Sequence, residues 1–151
     1  MRKRSFFGFC GLVVASLGYC ASLEDTASEP RAATVVSPAQ RRVIDASIAS
    51  LRSPSDRAVA RGWSHAKQVA EFICRPKAQP AFDGKLKGVD RVFLGTSEPN
   101  TLSLIRNDKL IGIGQARFDA GWRKFSFECL MDPKTAKVTK FLISIQAVPS
   151  V

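Results

Sequence analysis

Histidine and tyrosine each occur once in these 151 residues, methionine and tryptophan twice, and cysteine four times. Each scarcity removes a class of chemistry. With one His and few thiols the donor set for zinc is thin, so neither a metal nor a cofactor is expected. No Ser or Cys nucleophile motif accompanies His65, whose ordinary place is on a surface or in packing. The 13 acidic residues are scattered singly, so no carboxylate pair for glycoside chemistry stands out. Gly112-Ile113-Gly114 lacks the third glycine and the following helix of a dinucleotide loop. These gaps point away from an enzyme, and no catalytic residue is assigned. Also missing is an apolar run of the roughly 20 residues that a membrane helix needs.

What is present begins with an address. Arg2, Lys3 and Arg4 precede the apolar run at 6–17 (FFGFCGLVVASL), which ends in small and polar residues, so residues 1–22 are predicted to be a secretory signal peptide, cleaved between Cys20 and Leu23. Leu17-Gly18-Tyr19-Cys20 also resembles a lipoprotein signal, with a lipid anchor on Cys20 as the minority alternative. The whole chain carries 23 Lys plus Arg and a formal charge of +10, and loss of the signal leaves 20 positive against 13 negative residues. An exported basic protein meets anionic headgroups and wall polymers rather than chromosomal DNA. The expected partners are therefore anionic envelope components or another envelope protein, with peripheral membrane contact and no nucleic acid.

Residues 23–37 are poor in large apolar side chains and read as a flexible linker. A single domain is expected over 38–151. Ser37 suits a helix cap, Pro38 the first helical position and Gln40 the reciprocal position of a capping box, while Ile44, Ile48 and Leu51 form one apolar stripe. A second helix is predicted from Pro54 to about Cys74, with Val59, Trp63, Ala66, Ala70 and Ile73 on its apolar side. Pro76 and Pro80 are expected to end helical structure and open an irregular basic segment, 75–87. That segment contains Arg75, Lys77, Lys85 and Lys87 and could hold an anion.

The rest reads as strands at 89–94, 102–105, 109–118, 122–130 and 136–146, separated by turn residues. The third is expected to be bulged at Gly112 and Gly114, where its apolar parity switches. In the fourth, Phe125, Phe127 and Cys129 share one face, and in the fifth Phe141, Ile143 and Ile145 do. The predicted fold class is α+β: N-terminal helices packed on a four- to five-stranded antiparallel meander sheet.

If Cys10 and Cys20 leave with the signal, Cys74 and Cys129 remain. In an oxidising compartment a disulfide between them is the simplest reading; two separate thiols or a redox pair are the alternatives, the last disfavoured by the absence of a C-x-x-C motif.

Residues 63–149 resemble the alphaproteobacterial "domain of unknown function 930" family of uncharacterised exported proteins. The resemblance rests on VAEFIC ending at Cys74, VDRVFL, IGIGQARFDAGWRKFSFEC and DPKTAKVTKFLISI in that order. It implies recurrence of both cysteines, export, and no known enzyme class. The expectation is thus an exported, non-catalytic binding or structural protein of the periplasm or cell envelope. A secreted factor acting on another cell, or an enzyme on envelope polymers, are the competing readings. Arg117 and Trp122, flanking the turn before the fourth strand, join the basic segment as candidate binding residues.

Overall fold

The computed structural model describes residues 35–145. The expected signal peptide, its cleavage site, Cys20, most of the expected linker and the last six residues lie outside the described residues.

Helix α1 (Pro38–Ala49) starts where the sequence places it. Ser37 Oγ accepts the Gln40 N–H at 3.1 Å, and Gln40 Oε1 accepts the Ser37 N–H at 2.9 Å, which satisfies two otherwise orphaned donors. The Gln40 side chain is fully buried and donates to the Asn107 carbonyl at 2.6 Å, so the cap also fastens the helix to a turn of the sheet. Ile44 and Ile48 enter the core, as does Val36 from the end of the expected linker.

The long second helix expected from Pro54 to about Cys74 is broken. Helix α2 (Pro54–Arg61) stops at Gly62, and Ser64 caps a new helix, α3 (His65–Val69), by accepting the Lys67 N–H. Val59 consequently misses the apolar stripe and is 59% exposed, while Ala60 is buried. The break owes more to Gly62 and the cap at Ser64 than to periodicity, which continues through it. Helix α3 then runs through a π turn (Ala70–Cys74) into α4 (Arg75–Ala78), so Pro76 lies within helical chain instead of ending it. The wider turn accounts for this. The Arg75 N–H bonds back to the Ala70 carbonyl, which loosens the turn that a proline ring would otherwise strike. The added residue also turns Ala78 inward and leaves Lys77 in solvent. The segment expected to be irregular is therefore helical to Ala78, and a 3-10 turn (Pro80–Phe82) follows.

Five antiparallel strands complete an α+β fold: β1 (Arg91–Leu94), β2 (Leu102–Ile105), β3 (Lys109–Phe118), β4 (Gly121–Met131) and β5 (Val138–Ile145). β1 and β2 share one edge of β3 and act as a single interrupted strand. On either side of the excursion at 96–100, the Gly95 N–H bonds to the Ile113 carbonyl at 2.9 Å and the Ile113 N–H to the Thr101 carbonyl at 3.0 Å. β3 pairs with β4 in unbroken register from Lys109–Leu130 to Phe118–Gly121, so the expected bulge at Gly112 and Gly114 is absent. The two glycines have a packing reason instead. A Cβ at Gly114 would lie 2.5 Å from Phe125 Cζ, and one at Gly112 would lie 3.1 Å from Phe127 Cε1. Side chains were surrendered there to seat two phenylalanines.

The core lies between the helices and one face of this sheet. Phe82 meets Phe125 edge-on at 4.9 Å, and Phe127 stacks on Phe141 at 5.6 Å. Through this core a disulfide joins Cys74, at the end of the π turn, to Cys129 on β4, with Cα atoms 6.1 Å apart. The pair is bonded, as the cysteine count led one to expect.

Candidate functional site

The opposite face of the sheet carries no helix, and strand alternation decides what it shows. Because Phe125, Phe127 and Cys129 point inward, Trp122, Lys124, Ser126 and Glu128 point outward. On β1, Val92 and Leu94 are buried and Phe93 takes the outward position. Trp122 is 49% exposed and Phe93 38%, and their rings stack at 5.7 Å with 19° between planes. An arginine closes each end: Arg75, from α4, lies 5.9 Å from the Phe93 ring, and Arg117 lies 5.9 Å from the Trp122 ring. The result is a ladder of cation, ring, ring, cation.

Arg117 is fixed by Asp90, whose carboxylate accepts from Arg117 Nε at 2.9 Å and from Nη2 at 2.5 Å. This paired hydrogen bonding, together with the charge of Arg117, holds the Asp90 carboxyl below its ordinary pKa and raises that of Arg117. At the other end, the largely buried Glu71 carboxylate takes Lys67 Nζ at 2.6 Å and Arg75 Nη1 at 2.7 Å. A polar hollow of about 410 Å³ lies between α4 and β1, with Glu71, Arg75, Asp90 and Arg91 in its walls. Lys67, Arg75, Arg91 and Arg117 outnumber Glu71 and Asp90 there, so the neighbourhood is cationic after its ion pairs are counted. Further along the outward face, Ile111, Ile113 and Leu142 floor a shallower apolar hollow of about 450 Å³ with Ser103, Ser126 and Ser144 among its walls.

Of the residues singled out in sequence, the structure gathers Arg75, Arg117 and Trp122 into one site. Lys77, Lys85 and Lys87 are exposed and take no part in the ladder, so the basic segment divides after its first residue. Sequence reasoning missed Phe93, Arg91, Asp90 and Glu71. A signal for Phe93 existed: in VDRVFL an aromatic falls on the face opposite Val92 and Leu94. The same parity places Trp122 with Lys124 and Ser126, outside the core. His65 belongs to a separate polar group on α3, where its Nε2 accepts from Arg41 at 2.9 Å while Arg41 also reaches Gln68 at 3.3 Å.

Among the described residues there is no group of three or more His, Cys, Asp or Glu placed to hold a metal ion. Nor is any described helix long and apolar enough to cross a membrane. Compared with known proteins, the chain matches no family model, no curated protein and no solved structure. What it does must be argued from the site itself.

Proposed function

We propose that this is an exported, non-catalytic binding module that docks on anionic surfaces of the cell envelope through the Arg75–Phe93–Trp122–Arg117 ladder. The observation that carries the reading is the exposure of two stacked rings between two guanidinium groups. Exposed Trp beside Arg matches the boundary between a charged headgroup layer and apolar matter, because the ring has a polar edge and an apolar body, and the guanidinium pairs with phosphate in two-point fashion. The disulfide and the net positive charge support an oxidising, anion-rich location. Membership of the "domain of unknown function 930" family, on the motifs quoted above, belongs to the same proposal.

Co-sedimentation with lipid vesicles tests it. The purified chain should bind phosphatidylglycerol-containing vesicles, release with added salt and ignore pure phosphatidylcholine. Trp122→Ala should weaken binding about tenfold, the loss of one desolvated ring and its cation contact. Equal binding to neutral and anionic vesicles, or undiminished binding by Trp122→Ala, overturns the assignment. Fractionation of producing cells tests the location: recovery in the medium alone would favour a secreted factor.

A further inference from the structure

The two edges of the sheet are finished differently. The edge formed by β1 and β2 is broken at 96–100 and flanked by α4, two devices that keep a sheet from pairing with another chain. At the β5 edge neither is present. Among the described residues no strand pairs with the outer side of β5, and its run from Lys140 to Ile145 is regular, the register shift lying before it at Leu130 and Met131. That run holds no proline and one charge, Lys140.

Which backbone groups point outward follows from the β3–β4 hairpin. Its two-residue turn, Asp119-Ala120, makes Phe118–Gly121 a hydrogen-bonded pair, so even-numbered residues of β4 direct their N–H and C=O toward β5. Ser126–Ser144 and Glu128–Leu142 are then hydrogen-bonded pairs, which leaves Phe141, Ile143 and Ile145 with backbone groups aimed out of the sheet.

We propose that β5 pairs antiparallel with β5 of a second copy of this chain, joining the two sheets across a two-fold axis at Leu142. The sequence is self-complementary in this register. Phe141 hydrogen-bonds opposite the second copy's Ile143, Leu142 meets its own counterpart, and Lys140 falls opposite Ser144, so no like charges face each other. Moving the axis to Lys140 would oppose two lysines, which selects the register centred on Leu142. Leu142, 41% exposed and on the rim of the apolar hollow, is covered by the pairing. The two-fold axis stands perpendicular to the sheet, so both outward faces, each with its ladder, look the same way. Two ladders on one side would bind a surface with the avidity of a tethered pair. The dimer itself rests on β5 alone, so its failure and the failure of the surface-binding assignment are separately readable.

A strand of six residues makes a small interface, so the dissociation constant should be on the order of 10 µM. Sedimentation velocity on the disulfide-bonded chain should show a reversible monomer–dimer equilibrium in that range. Leu142→Lys, an outward change that leaves the core intact, should weaken it at least tenfold by opposing two charges at the axis. Register is read by Leu142→Cys, which should cross-link to itself on mild oxidation because directly opposed residues lie within disulfide reach, whereas Ser144→Cys should not. A strictly monomeric chain well above that concentration, or an undiminished dimer in Leu142→Lys, overturns the proposal. Cross-linking of Ser144→Cys as readily as Leu142→Cys overturns the register.

Discussion

The two faces of this sheet use aromatic residues for opposite ends. On the inward face Phe125 and Phe127 are sealed against Phe82 and Phe141, with two glycines cut away to admit them and a disulfide beside them. On the outward face Phe93 and Trp122 stack just as closely but stay exposed, and their flanks are arginines. The distinction is one of partners. A ring surrounded by carbon contributes stability, whereas a ring held in water by a cation and another ring contributes little stability and keeps its surface available for a ligand. Substitutions on the two faces should therefore separate stability from binding.

The largest effect belongs to the inward side. Replacing both Cys74 and Cys129 by Ala opens a loop of 55 residues, which should cost about 4 kcal/mol in the chain-entropy account. Urea unfolding of the double variant would measure it, and a cost under about 1 kcal/mol would show that the helical layer and β4 hold together without the bond. Next comes Gly114→Ala. Its Cβ would sit 2.5 Å from the Phe93 carbonyl as well as from Phe125 Cζ, and the backbone contact cannot be relieved by a rotamer change. The expected cost is about 2 kcal/mol. Because β1 must shift to make room, this variant should also disturb Phe93 and the ladder, making it the one inward change that reaches the outward face.

Trp122→Ala is the converse. Half exposed and stacked on one side only, the ring should be worth less than about 1 kcal/mol to stability. Binding to anionic vesicles should fall about tenfold in the same variant. A large loss of stability with unchanged binding would reverse the contrast and make the outward ladder a structural element.

The inward face was legible in the sequence because burial leaves a periodic trace. Ser37, Pro38 and Gln40 announced α1, alternation announced β4 and β5, and two surviving cysteines announced their bond. Where reading failed, the cause lay in interactions that periodicity does not record. A helical pattern continues across Gly62 although the chain breaks there, and Pro76 looks like a stop because nothing in the sequence marks the π turn that accommodates it. Gly112 and Gly114 resembled a bulge, since a small residue that yields to a cross-strand phenylalanine looks the same as one that bends a strand. The outward face was half legible. Arg75, Arg117 and Trp122 could be nominated one by one, but Phe93, which joins them, gains its meaning only when β1 is laid beside β3 and α4 beside β1.

The smallest expected effect is electrostatic, and it tests whether the outward ladder is held in reserve. Asp90 has its pKa lowered by the hydrogen bonds from Arg117. Asp132, in the β4–β5 turn, has its own lowered by the Lys134 N–H and the Thr135 hydroxyl, each at 2.8 Å. A carboxylate with a lowered folded-state value contributes stability that is complete above its ordinary value of 3.8 and is lost as pH falls through the lowered one. Stability should accordingly be insensitive to these groups near neutral pH and decline only under strongly acid conditions. Asp90→Asn should flatten part of that acid limb, and Asp132→Asn a separate part, since the two sites share no residue. The variants should differ in binding. Asp90→Asn removes the anion that competes for Arg117, so affinity for phosphatidylglycerol-containing vesicles should rise at neutral pH, while Asp132→Asn should leave it unchanged. If both variants bind alike, the Arg117–Asp90 pair does not restrain the ladder, and the surface charge acts without regard to which arginine carries it.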